Sequence, residues 1–166
     1  MTAIPQHPGD SPQGTSDNPE TAELMAEIDA IERGLLADPT DFDMLLRAAR
    51  WGERTGRYDE ARRFYMHAAA AAPDRHEPMV ALGDLLRGQS LHREATELLQ
   101  AALERMPEQA DLWCAIARVM TDLGTTDKAE IFINEALRLE PSNVTARLQR
   151  GALRRRAETR PGTAIR

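Results

Sequence analysis

Few side chains in this 166-residue sequence are of the types that carry out chemistry, and their spacing argues against a reactive site. Histidine and cysteine are the usual metal ligands and nucleophiles, and the chain has four histidines and one cysteine. His67, His76 and His92 are spread over separate segments, without i,i+4 pairing and without a neighbouring cysteine ligand. A metal site needs several converging ligands, so each histidine is interpreted as a solvated or partly buried side chain.

The single cysteine, Cys114, has no evident base beside it, which argues against a nucleophilic role. It cannot form an internal disulfide, so the chain does not need an oxidising compartment. The sequence also lacks the nucleophile elbow, the phosphate loop, the dinucleotide fingerprint and paired cysteines. These observations predict a protein that is not an enzyme and that binds no metal and no cofactor.

The composition favours helices, because the apolar residues are mostly Leu, Ala, Met and Ile and only 4% of residues are aromatic. No stretch approaches the ~20 apolar residues that a membrane span needs. The first twenty residues lack the basic and apolar regions of a secretory signal. Lys128 is the only lysine among 21 basic residues, a bias typical of a GC-rich bacterial genome. We therefore expect an all-α protein of the bacterial cytoplasm.

The sequence repeats with a period of 34 residues. Residues of the same type recur at this interval in several equivalent positions of the repeat, which we call columns. Prolines mark the period at Pro39, Pro73, Pro107 and Pro141. Small residues keep it at Ala61, Ala95 and Ala129 and again at Ala68, Ala102 and Ala136. Each proline follows an amphipathic run, where it ends a helix without removing an interior hydrogen bond. Each helical hairpin then leaves an apolar face that only the next hairpin covers.

On these columns the chain resembles the tetratricopeptide repeat, whose pattern is W-x2-L-G-x2-Y, then A-x3-F, then P. The third copy matches it at Trp113, Ile116, Ala117, Met120, Ala129, Ile133 and Pro141. The resemblance implies an all-α, right-handed superhelical solenoid of antiparallel helix pairs, with about eight helices. The expected order is a disordered tail at 1–18, a lone helix at 19–37, repeats at 42–75, 76–109 and 110–143, a capping helix at 144–158, and a disordered tail at 159–166.

The resemblance also implies a function, since members of this family bind a peptide or helix of a protein partner on the concave surface of their first helices. Such a chain would be a non-catalytic adaptor or scaffold. Carried over column by column, the groove residues are Leu46, Arg50, Glu53, Val80, Asp84, Arg87, Cys114, Arg118 and Thr121. Leu148 and Arg155 would extend this surface onto the capping helix.

The charges of this groove allow two interpretations. The arginines form a cationic groove for an acidic peptide or a terminal carboxylate, or they pair with acids of neighbouring repeats. The expected pairs are Arg50–Asp84, Asp84–Arg118 and Glu53–Arg87, and pairing is the interpretation we favour. The carboxylate clamp of chaperone-binding members is not matched, because its columns hold Leu46, Arg50, Ala81, Asp111 and Ala115.

Two other functions stay open at this point. One is a chaperone of the type III secretion kind, which holds an exported protein and forms a homodimer through its N-terminal helix. The other is an accessory subunit of an enzyme encoded nearby. Nucleic acid is not an expected partner, because no aromatic residue interleaves the C-terminal arginines to stack on bases. Arg147, Arg150 and Arg154 are interpreted as the polar face of a solvating cap.

The run of alanines before Pro73 includes two positions where later copies have leucine. Ala69 corresponds to Leu103 and Leu137, and Ala71 corresponds to Leu139. This loss of bulk predicts that the first hairpin is the most loosely packed part of the array, or that it leaves a shallow apolar recess.

Overall fold

The computed structural model describes residues 19–159, which form eight α-helices and contain no strand. The helices are α1 (Pro19–Ala37), α2 (Phe42–Arg54), α3 (Tyr58–Ala71), α4 (Glu77–Gly88), α5 (His92–Arg105), α6 (Ala110–Asp122), α7 (Thr126–Leu139) and α8 (Val144–Glu158). The predicted all-α class is therefore confirmed. The segments 1–18 and 160–166, predicted to be disordered, lie outside the described residues. None of the described helices is long and apolar enough to cross a bilayer.

Local sequence signals explain where several helices begin. The Asp41 carboxylate accepts a hydrogen bond from the Met44 amide at 2.9 Å, and the Asn143 side chain accepts one from the Ala146 amide at 2.9 Å. Each contact satisfies an amide that has no partner inside its helix, so Asp41 caps α2 and Asn143 caps α8.

Short turns join α2 to α3, α4 to α5 and α6 to α7, and each of these pairs packs together as a hairpin. The second helix of each hairpin also packs on the first helix of the next, which makes the array continuous from α1 to α8. In addition, α4 contacts α6 and α6 contacts α8. These three helices therefore form a continuous inner layer, and α8 stands in it as the first helix of an unfinished fourth repeat.

The small-residue columns hold the two helices of each hairpin close together. Ala49 and Ala117 are fully buried, and so are the large side chains Leu99 and Ile133 of the second helices. At Gly83, an added Cβ would lie 2.8 Å from Cδ2 and 2.9 Å from Cγ of Leu99. The leucine thus occupies the space that a larger residue at position 83 would need, which explains why this column carries only Ala and Gly.

Of the two alternatives predicted for the first hairpin, loose packing is wrong. The α2–α3 contact is as extensive as that of α6–α7 and more extensive than that of α4–α5. An added Cβ at Gly52 would lie 3.1 Å from the amide nitrogen of Ala61, so the two helix backbones approach closely there. Ala69 is only half-buried and Ala71 is exposed, although Leu103, the equivalent of Ala69, is buried at 9% exposure. The buried Tyr65 and the close approach at Gly52 therefore close this hairpin without leucines in those columns.

Ser90 is the one described residue other than glycine with a positive φ, at 62°. It stands in the hairpin-turn column that holds Gly56 and Gly124, whose φ angles are 74° and 72°. A side chain in this region is strained, whereas glycine is not. We expect Ser90→Gly to raise the free energy of unfolding by about 0.5–1 kcal/mol.

Denaturant unfolding of Ser90→Gly against the wild type measures this gain, and Gly124→Ser is the matched reverse change. We expect Gly124→Ser to destabilise the chain by a similar amount, because it introduces the same strain in an equivalent turn. A loss of stability in Ser90→Gly would show that the serine side chain stabilises the turn by more than its backbone conformation costs.

Candidate functional site

A recess of about 350 Å³ opens on the inner surface between α6 and α8. Both helices line it, and α4 contributes one residue. Its lining residues are Arg87, Arg118, Thr121, Asp122, Gln149, Ala152, Leu153, Arg155, Arg156 and Thr159. The recess lies at the C-terminal end of the array, and the predicted groove residues Arg87, Arg118 and Thr121 are among those that line it.

One face of α8 forms a wall of this recess. Gln149, Ala152, Leu153 and Arg156 follow the i, i+3, i+4, i+7 spacing that places side chains on one side of a helix. Leu153 packs against both clusters of buried core residues, while Ala152 is exposed. Leu153 thus fixes this face of α8 to the core, and Ala152 leaves its surface accessible to solvent. Sequence reasoning missed these four residues, although their spacing in the capping helix is a signal that could have found them.

A chain of ion pairs crosses the inner layer beside the recess. The Arg118 guanidinium binds both carboxylate oxygens of Asp84, with Nε donating to Oδ1 at 2.8 Å and Nη2 to Oδ2 at 2.5 Å. Arg87 donates to Asp84 at 3.3 Å and to Asp122 at 2.8 Å. The hydrogen bond to Asp122 is the main reason that the pKa of Arg87 is raised. Arg87 and Arg118 are therefore neutralised by acids of the same chain.

Of the three predicted pairs, only Asp84–Arg118 is present. Arg118 occupies both oxygens of Asp84, and Arg50 makes no ion pair with any residue of the described chain. Arg87 reaches Asp122 instead of Glu53. Burial is the main cause of the raised pKa of Glu53, and an interaction with the Tyr65 hydroxyl partly offsets it. Glu53 thus faces a phenol of its own hairpin, and the predicted Glu53–Arg87 pair is wrong.

Two residues predicted to line the groove are buried. Cys114 is 0% exposed and Leu46 is 8% exposed, within the apolar core. The capping helix covers Cys114, because the Gln149 side chain donates to its backbone carbonyl at 3.2 Å and the Asn143 side chain lies against its sulfur. Burial raises the pKa of the thiol to about 11, which disfavours the reactive thiolate. Both residues therefore support the groove from beneath and do not line it.

The remaining groove positions are accessible to different degrees. Val80 and Thr121 are half-buried, and Thr121 donates its hydroxyl to the Ala117 carbonyl at 2.8 Å. Leu148 is 67% exposed, and Arg50 and Arg155 are also exposed. Within residues 19–159, Arg155 and Arg156 take part in no ion pair. The free cations of the recess are therefore on α8, and the arginines of α4 and α6 are paired.

The histidines contribute no metal site to this surface. His76 Nε2 lies 3.4 Å from Asp111 Oδ2, a contact between adjacent repeats. Among the described residues there is no group of three or more His, Cys, Asp or Glu side chains that could hold a metal ion.

Helical hairpins stacked in a continuous array, with an open recess on the inner layer, define an α-helical repeat protein. Two family models, each described as tetratricopeptide repeat, match residues 43–75 and 86–152. The chain belongs to the tetratricopeptide repeat family.

Comparison with individual proteins agrees with this assignment. Protein FlbA of Caulobacter vibrioides is 30% identical over 122 residues, which make up 74% of this chain and 20% of FlbA. The chain therefore spans about a fifth of the length of the curated relative it matches. A crystal structure of MamA matches with a TM-score of 0.63 at 19% identity, over 84% of this chain and 81% of MamA. A tetratricopeptide repeat protein of Parabacteroides merdae matches with a TM-score of 0.64 at 16% identity, over 84% of this chain and 56% of that protein. These structural likenesses show the fold.

Proposed function

We propose that this chain is a non-catalytic adaptor that binds a peptide or helix of a partner protein in its concave groove. The recess between α6 and α8 is the centre of the contact. The observation that carries the proposal is the recess itself, which combines an exposed apolar wall at Ala152 with cations at its edge. Such a combination suits a partner segment that inserts an aliphatic side chain and carries acidic residues beside it.

The ion pairs decide where the acidic residues of the partner would bind. Arg87 and Arg118 already bind Asp84 and Asp122, so an incoming carboxylate would have to displace an internal one. Arg155 and Arg156 make no ion pair within the described chain and are exposed. An acidic partner would therefore contact α8 first. Binding through these two arginines would weaken with added salt, because exposed charges are screened over about 8 Å at physiological ionic strength.

A change that fills the recess without disturbing the core tests the proposal. Ala152→Arg places a long side chain in the recess and removes no buried contact, because Ala152 is exposed. The matched control is Ala157→Arg, which adds the same side chain at an exposed position of α8 outside the recess. We expect the immobilised Ala152→Arg chain to lose at least about tenfold in recovery of proteins that the wild type captures from lysate, equivalent to about 1.4 kcal/mol.

The control chain should recover the same proteins as the wild type, and circular dichroism should show unchanged helicity in both variants. Arg155→Glu with Arg156→Glu should reduce recovery of the same proteins, while leaving the recess open. Equal recovery by Ala152→Arg, Ala157→Arg and the wild type would rule out the recess as the binding site.

A further inference from the structure

We infer that copies of this chain associate head to tail, with α8 of one copy packed against α1 of the next, so that the solenoid continues across the boundary. The inference concerns the two ends of the array and is independent of what binds in the groove. It rests on the repeat register, on exposed side chains in columns that are covered elsewhere, and on the opposite charges of the two terminal helices.

The first observation is that α8 lacks a second helix. Gly151 stands in the column of Ala49, Gly83 and Ala117, which are buried against the second helices of their hairpins. An added Cβ at Gly83 would collide with Leu99, whereas at Gly151 it would meet only Nη1 of Arg155 at 3.5 Å. The surface around Gly151 that would pack against a second helix is therefore present on α8, and no helix covers it within the described chain.

A second observation comes from the column that includes Leu148. Inside the array this column is covered, with Leu46 at 8% and Cys114 at 0% exposure, and Val80 is half-buried. Leu148 is 67% exposed. The difference arises because α8 is the last helix of the described residues, among which no following first helix covers the leucine. The α2 helix of a following copy would occupy that position.

The N-terminal helix α1 complements α8 in the repeat register, because α8 stands in the position of a first helix and α1 in that of a second helix. Pro39 keeps the proline column, so α1 stands in the place of a second helix, and the described residues contain no first helix before it. Glu27 corresponds to Ala61, the residue that packs closest to Gly52 of its own first helix. By register, Glu27 stands in the column that faces the first helix of a hairpin, and Glu23 lies one turn before it. Glu23 is exposed, while Glu27 pairs with Arg54 of α2.

Charge identifies the occupant as another copy of this chain. The α8 sequence has five arginines and one glutamate, and the α1 sequence has five acidic residues and one arginine. On α8, three of the arginines lie in the columns that face a second helix, namely Arg147, Arg150 and Arg154. A symmetric dimer through two α1 helices would bring like charges together, whereas α8 against α1 pairs opposite charges. The charges therefore favour the head-to-tail arrangement over a homodimer through the N-terminal helix.

This interface is heterologous, so it leaves a free α1 at one end and a free α8 at the other and propagates into a ring or a filament. It also joins the inner layers of successive copies, which lengthens the concave groove. The charged contacts are exposed to solvent, so association is expected to weaken as salt increases.

Sedimentation velocity of the full chain tests the inference through a charge exchange. The first variant carries Arg147→Glu and Arg154→Glu, which reverse the charge at two of the three arginine positions of α8 that face a second helix. The second carries Glu23→Arg and Glu27→Arg, which reverse the charge at the two glutamates of α1 named above. We expect the wild type to increase in mean mass with concentration at about 0.05 M NaCl and to remain monomeric at about 0.5 M. Each variant alone is expected to stay monomeric at both salt concentrations.

The decisive sample is the equimolar mixture of the two variants. The reversed glutamates of one variant's α8 then meet the reversed arginines of the other variant's α1, so the mixture should regain the concentration-dependent mass of the wild type. The control variant, Arg63→Glu with Arg93→Glu, makes the same change in net charge on exposed positions of α3 and α5 and should associate like the wild type. Circular dichroism checks that each variant is folded. A wild type that stays monomeric at low salt, or a mixture that stays monomeric, would overturn the inference.

Discussion

Replacing Tyr65 by alanine is expected to lower the free energy of unfolding by about 3–5 kcal/mol, the range found when a buried aromatic side chain is removed. Tyr65 is 1% exposed and is the largest of the fully buried side chains. It lies between α2 and α3, and the cavity left by alanine cannot close easily because Gly52 and Ala61 already hold these helices at close approach.

Chemical denaturation monitored by circular dichroism measures this loss, with two comparison variants. Tyr58→Ala removes the same side chain from the same helix at a 45% exposed position and should change stability by no more than about 0.5 kcal/mol. Tyr65→Phe keeps the ring and removes the hydroxyl that interacts with Glu53, so its cost should be near that of one hydrogen bond, about 1 kcal/mol. Similar losses in Tyr65→Ala and Tyr58→Ala would contradict the assignment of Tyr65 to the core of the first hairpin.

Gly83→Val is expected to destabilise the chain by about 2–3 kcal/mol through overpacking. The added Cβ would lie 2.8–2.9 Å from three side-chain atoms of Leu99, which is 0% exposed and packed within the core. The equivalent first helices carry alanine opposite Tyr65 and Ile133. In the second hairpin, Gly83 therefore leaves the space that the Leu99 side chain occupies.

The matched control for this change is Gly88→Val in the same helix. An added Cβ at Gly88 meets nothing within 4 Å, so Gly88→Val tests the change in residue type without the collision. We expect its stability to remain within about 0.5 kcal/mol of the wild type. Unfolding curves that are displaced equally for both variants would show that the contact with Leu99 is not what excludes a side chain at position 83.

The sequence was sufficient to predict the repeat architecture because the constraint behind each column is local. Ala61 and Ala68 are small because a partner helix packs against them, and Pro73 follows the point where a helix ends. Such requirements recur wherever the same hairpin recurs, so a period of 34 residues exposes them without any structure. The same columns predicted eight helices, and eight helices are present in the described chain.

The groove was harder to predict because it depends on which side chains reach one another across repeats. Cys114 falls in a groove column, yet α8 covers it, since the next helix of the inner layer packs on that position. Arg87 has acids within reach on two helices, and column spacing alone does not decide that it binds Asp84 and Asp122 and not Glu53. Long side chains choose among partners by rotamer, which a repeat register does not fix.

The first hairpin shows a related limit. Counting lost leucines at Ala69 and Ala71 predicted loose packing, because the count assumed that those positions face the interior. Ala69 is half-buried and Ala71 is exposed, and the interior of the hairpin is closed by Tyr65 and by the close approach at Gly52. Side-chain volume therefore affects packing only where burial has been established.

Photo-crosslinking from the recess tests most directly the proposal that the inner surface at α6 and α8 binds a protein partner. A benzoylphenylalanine probe at Thr159, which lines the recess, is compared in lysate with the same probe at Asn134, an exposed position on α7. We predict that the probe at Thr159 crosslinks a partner and that Ala152→Arg in the same chain abolishes the product, while the probe at Asn134 gives none. Crosslinks from Asn134 alone, or crosslinks from Thr159 that persist in Ala152→Arg, would contradict the proposal.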